Sequence, residues 1–130
     1  MLPILTFTQL ALTTFWAIVF VQSGLDKVLD RKGNLSWLKG HFKHSPLRGI
    51  VPLLLSVLTI VELTAGILCV IGVTQIVISD DLTFAQYGIQ LSTVALLMLF
   101  FGQRMSKDYE GAATIATYFA VALLSLYLIG

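Results

Sequence analysis

The chain reads as an all-α integral membrane protein, a four-transmembrane-helix bundle with a short interfacial helix between the first and second spans. Three observations lead there. Hydrophobic residues make up 57% of the 130 and charged residues only 12%, about half the charged share usual in a soluble domain. The apolar residues gather into four stretches, each near the ~20 residues that a helix needs to cross the hydrocarbon core. All eight Lys and Arg residues fall in the first and third of the three connections between those stretches. At this length the chain forms one domain, 1–130.

The first span is expected over about 4–28. Pro3 suits an early helical position, where its missing N–H costs nothing. The run lacks the basic n-region and small-residue cleavage site of a signal peptide, so it is expected to stay as a helix. The second span, about 50–73, is opened by Pro52 and closed by Gly72. The third runs over about 84–101 and the fourth over about 112–128.

The first connection is too long for a turn. Asn34 is placed to cap a helix over 35–42, with Leu35, Leu38 and Phe42 along one face. Trp37 and the neighbouring lysines suit the headgroup region, where amphipathic rings and snorkelling cations are stable. Gly33 and Gly40 bracket the segment. Two roles fit it: a cap over the bundle, or a docking surface built on Trp37, Leu38 and Phe42.

Charge sets the orientation. Lys27, Arg31, Lys32, Lys39, Lys43 and Arg48 lie between the first two spans, and Arg104 and Lys107 between the last two. The middle connection carries only the acidic pair Asp80 and Asp81. The positive-inside rule makes the basic face cytoplasmic and puts both termini outside. A net charge of +1 gives nucleic acid no purchase; the bilayer itself is the expected partner.

Glu62 is the most informative residue. It sits near the middle of the second apolar run, and an ionisable group at such depth faces a bundle interior and is a functional candidate. Ser56, Thr59, Glu62, Gly66 and Cys69 recur every three or four residues and form one polar, small-residue stripe. Three states are open to Glu62: a neutral hydrogen-bond donor, a carboxylate paired with a cation, or a station on a proton path. No cation is expected at mid-depth on another span. Polar partners expected at similar depth are Thr13, Trp16 and Gln22 on the first span, Gln90 and Thr93 on the third, and Tyr118 on the fourth. Gln86 and Gln90, one turn apart, would line a polar pocket with Glu62, walled by Trp16, Phe20, Phe100, Tyr118 and Phe119. A ring or acyl chain would fit such walls, and so would plain packing.

Other chemistries are excluded more simply. Cys69 has no second cysteine to pair with, which removes a self-contained thiol–disulfide relay. His41 and His44 lie in the surface segment, so no span offers a haem ligand, and no metal site is expected. No phosphate loop, nucleophile–base pair or zinc cluster is visible, so catalysis by the chain alone is not expected. Two polar clusters remain at the basic face, one around Asp26, Lys27 and Asp30, the other at 102–112. They suggest ion pairs of Asp26 or Asp30 with Arg104 or Lys107, and of Lys27 with Asp108 or Glu110, holding the helix ends in register.

Gly24-Leu25-Asp26-Lys27, Pro52, Glu62 with Gly66 and Gly72, and the segment Gly102-Gln103-Arg104…Lys107-Asp108-Tyr109…Gly111-Ala112 leading to Tyr118-Phe119 together resemble the DoxX family of small four-span bacterial membrane proteins. The resemblance covers nearly the whole chain. It implies a four-helix bundle in the inner membrane and a place in redox assemblies, since some relatives are subunits of thiosulfate:quinone oxidoreductases. Many relatives carry an arginine a turn before the glycine at the end of the first span. Val21, Gln22 and Ser23 stand there here, so no Arg–Glu pair carries over to Glu62. The expectation is an accessory subunit of a larger redox- or quinone-associated assembly, without catalysis of its own. Two alternatives stay open: a quinone-binding subunit in which Glu62 bonds the ligand or relays protons, and a purely structural subunit. Other membrane subunits, or a second copy of this chain, are the expected protein partners.

Overall fold

The computed structural model describes residues 2–130. Five helices follow one another: α1 (Ile4–Leu29), α2 (Arg31–His41), α3 (Val51–Ser79), α4 (Thr83–Met105) and α5 (Tyr109–Ile129), with a single 3-10 turn at Arg48–Ile50 leading into α3. Four are long and apolar enough to cross a membrane. The protein is a multi-pass, all-helical membrane bundle, and α2 is the short helix between its first two spans.

The ends differ from the expected ones for local reasons. α2 begins at Arg31 because Asp30, not Asn34, caps it: the Asp30 carboxylate accepts from the Gly33 amide. Asn34 lies inside the helix and donates to the Asp30 carbonyl, and Gly33 and Gly40 are also internal. α3 runs past Gly72 to Ser79 because Gly72 is a contact point and not a terminator. A Cβ there would stand 2.7 Å from the Ala85 amide nitrogen, so the glycine lets α3 and α4 touch backbone to backbone. The helix stops at Asp80, which takes the left-handed conformation (φ 55°). α5 starts three residues earlier than expected because Asp108 caps it through the Gly111 amide.

α3 is the central helix, packed along α1 on one side and α4 on the other, while α5 packs chiefly on α4. Small residues set both close contacts. A Cβ on Gly66 would meet the Val21 backbone at 2.7 Å, one on Gly24 the Leu63 side chain, and one on Gly88 the backbone and thiol of Cys69. α5 closes on α1 through hydrogen bonds at its far end: the Trp16 indole N–H donates to Ser125 Oγ (3.0 Å) and the Gln9 amide to the Leu128 carbonyl (2.9 Å). Trp16, Phe20, Ile89 and Leu96 form the middle of the core.

The first and central helices are offset along their length. Gly24 faces Leu63, so α1 reaches its end at Leu29 about two turns short of the start of α3. α2 then crosses the space that α1 leaves vacant.

Gly66→Leu should force α1 from α3 and lower stability in detergent by about 1–3 kcal/mol. Gly40→Ala, with nothing within 4 Å of the new methyl, should be neutral or stabilising by about 0.5–1 kcal/mol. Thermal unfolding followed by circular dichroism checks both, and an unchanged midpoint for Gly66→Leu would contradict the close approach. In the α3–α4 turn, the Thr83 amide and hydroxyl both donate to Asp81 Oδ1 and hold that carboxyl below its ordinary pKa. Its stabilising contribution is therefore complete above the ordinary value and fades as pH falls through the lowered one. Asp81→Asn should flatten the pH dependence of stability below roughly pH 4, as an acid titration would register.

Candidate functional site

The polar stripe on α3 does face protein: Thr59, Glu62, Gly66 and Cys69 are all buried. Glu62 has no solvent exposure at all. Its expected isolation from cations is corrected by the offset of α1. Lys27, near the end of α1, lies within a turn of Glu62's level, and its Nζ stands 2.9 Å from Glu62 Oε1. The cation comes from a helix end that the sequence alone assigns to the membrane surface. Lys27 also donates to Ser23 Oγ at 2.7 Å, one turn back on α1. The contact with Oε1 is a close ion pair whose angle departs from a hydrogen bond, and Oε2 has no protein donor. Charge attraction, not an aligned hydrogen bond, holds this carboxylate.

The pocket expected from Glu62, Gln86 and Gln90 does not form. Gln90 is exposed on the outer face of α4, and Gln86 donates to the Ile129 carbonyl at the far end of the bundle. Thr59 and Thr93 bond carbonyls of their own helices, Leu55 and Ile89. Trp16 stacks on Phe20 and meets Phe15 and Tyr118 edge-on, a packed aromatic group whose one buried N–H goes to Ser125. Tyr118 is partly open, beside Gln22, Ser23 and Asp26 in a shallow groove between α1 and α5.

The ion-pair cluster at the basic face is also rearranged. Among the described residues, Asp26 and Asp30 make no salt bridge with Arg104 or Lys107, and Lys27 makes none with Asp108 or Glu110. Helix ends claim the carboxylates first: Asp30 caps α2 and Asp108 caps α5, while Asp26 accepts from the Asn34 amide. Arg104 lies over the Tyr109 ring at 4.7 Å, a cation–π contact. Lys107 takes a left-handed conformation (φ 62°) in the α4–α5 turn.

What the sequence does not reveal is a cavity of about 320 Å³ in the space beyond the end of α1. α2 roofs it with Trp37, Leu38 and His41. Its floor is the first two turns of α3, with Val51, Leu55 and Leu58, and its far wall is the end of α4, from Met98 to Gln103. Phe42 is buried in its wall, whereas Trp37 is 61% exposed. Both ends of α2 are tied down. Arg31 donates to Ser56 Oγ (2.8 Å) on α3, and His41 Nε2 lies 2.8 Å from Gln103 Oε1 and 3.0 Å from Ser106 Oγ at the end of α4. Asp108 Oδ2 is 3.8 Å from the same nitrogen. His41, expected to be a solvated loop residue, is thus a tether. The α2 segment lies over the bundle and covers a space instead of closing it.

The lining is apolar apart from Lys27, Asn34, His41 and Gln103, and Lys27 is its one formally charged member. A concave apolar site of this size with a few converging polar groups is the usual form of a small-molecule site. Compared with protein-family models, curated proteins and solved structures, the chain matches none of them. Fold and site together define the class: a small multi-pass helical membrane protein with a buried ion pair beside a cavity under its short helix.

Removing one partner of the pair should cost more than removing both. Lys27→Met leaves a buried carboxylate without a cation and should destabilise by about 3–5 kcal/mol. Lys27→Met with Glu62→Gln should recover a large part of that loss. A double-mutant cycle of detergent unfolding measures the coupling; strictly additive effects would mean that the two groups do not sense each other.

Proposed function

We propose that the chain is a small accessory subunit of a redox-associated assembly in the bacterial inner membrane, without catalysis of its own, and that it holds a quinone-type amphiphile beneath α2. The cavity carries this reading. It has the volume for a substituted ring and an apolar floor, with donors at Lys27 and Gln103 in its lining. A ring carbonyl would accept from one of these groups, and an isoprenoid tail would leave along Leu58 and Leu99 toward the hydrocarbon. The ligand contact first expected at Gln90 would then fall to Lys27, with Glu62 acting through it. The resemblance to the DoxX family supports the redox context. The basic end, with α2 and the cavity, would be the cytoplasmic end, and both termini periplasmic.

A second reading rests on Trp37, whose large exposed indole on α2 suits contact with another membrane subunit. There the chain is a structural member of its assembly, and cavity and helix face serve docking alone.

Purification in mild detergent, with solvent extraction for quinone and mass spectrometry for co-purifying chains, tests both. Near-stoichiometric quinone is expected from the native protein, falling about tenfold or more in Leu58→Trp, which fills the cavity. A native protein that carries no quinone and takes up no decylubiquinone rules out the ligand reading. Loss of partner chains in Trp37→Ala, with quinone never present, would favour the structural subunit.

A further inference from the structure

Accepting that the cavity is a binding site, we infer that Glu62 sets the charge class of its ligand, admitting neutral carbonyl-bearing amphiphiles and refusing anionic ones. The Lys27 ammonium has three donors. One goes to Ser23 Oγ at 2.7 Å, and the side of Nζ nearest Glu62 Oε1, 2.9 Å away, makes an ion pair without an aligned hydrogen bond. The Ser23 carbonyl, at 3.5 Å, is too distant to hold the third firmly. Lys27 lines the cavity and Glu62 does not, so a ligand there meets the lysine and not the carboxylate. The lining therefore holds the cationic member of a pair whose anionic member lies outside it.

That arrangement attracts a lone pair and repays no anion. A neutral carbonyl gains a charge-assisted hydrogen bond from the third donor. An anionic head would give up its water in a mostly apolar chamber and meet a lysine already neutralised, with no second formal positive charge in the lining to receive it. Without the Glu62 charge, Lys27 would be an uncompensated cation and the anion would become its partner. A residue that does not touch the ligand thus decides which head group is bound.

The test uses two twelve-carbon probes, methyl dodecanoate as the neutral carbonyl compound and dodecanesulfonate, anionic at every working pH. Equilibrium dialysis of each radiolabelled probe against protein-loaded and empty lipid nanodiscs gives specific binding. The native protein should retain the ester and hold no sulfonate above the empty discs. Glu62→Gln should gain about tenfold or more in sulfonate binding, and adding Lys27→Met should abolish that gain. Equal retention of both probes by the native protein overturns the inference while leaving a binding site in place. So does a folded Glu62→Gln protein that gains no sulfonate. If Glu62→Gln does not accumulate, the Lys27→Met/Glu62→Gln protein decides: undiminished ester binding there overturns the role of Lys27, and weakened ester binding with no sulfonate supports it. A native protein that retains neither probe removes the binding reading itself.

Discussion

A carboxylate with no solvent exposure in the central helix of a membrane bundle has to be compensated, and here compensation dictates geometry. Lys27 reaches Glu62 because α1 is offset along α3, with Gly24 facing Leu63, and α1 ends within a turn of that level. The same early ending leaves the first two turns of α3 without a neighbour on that side. α2 fills the vacancy as a roof and not as a plug, since its inward residues are few and both its ends are pinned, by Arg31 to α3 and by His41 to α4. The ion pair, the offset of the helices and the cavity are three views of one constraint.

Close packing keeps that constraint rigid. Gly66, Gly72 and Gly88 each admit a neighbouring backbone to a distance that a Cβ would forbid, and Gly24 makes room for the Leu63 side chain. In a bilayer, where apolar burial between helices gives little net drive, such van der Waals contact is the main attraction. α1, α3 and α4 consequently hold a fixed register, which a pair of charges needs: a slip of one residue along α3 would turn the carboxylate away from the ammonium.

Much of the architecture could be read from the chain. Hydropathy located four spans, and the eight basic residues all gather at one end of the bundle. The spacing of Thr59, Glu62, Gly66 and Cys69 identified the face of α3 that turns inward. Helix ends were less legible, because Asp30 and Asp108 are both acidic residues in charged stretches, and only the folded backbone shows them acting as caps rather than ion-pair partners. The pairing of Lys27 with Glu62 was hidden for a different reason. It depends on how far one helix is shifted along another, which no periodicity encodes. Gln86 and Gln90 share polarity and spacing but not a destination: one bonds a helix terminus and the other faces outward. The strongest available hint was local: Ser23 and Lys27 stand one turn apart on the side of α1 that Gly24 brings against α3.

The helices also differ in reach. α3 has 29 residues and α5 only 21, or roughly 43 Å against 32 Å at 1.5 Å per residue, while the hydrocarbon core of a bilayer is about 30 Å thick. A span that exceeds the local thickness tilts or thickens the lipid around it, and one that matches does neither. The last turn of α3 keeps Val77 and Ile78 largely exposed, so the excess length is greasy rather than polar. The apolar length therefore differs from flank to flank, greatest along the central helix and least beside α5, and helix tilt or lipid depth has to answer each flank separately.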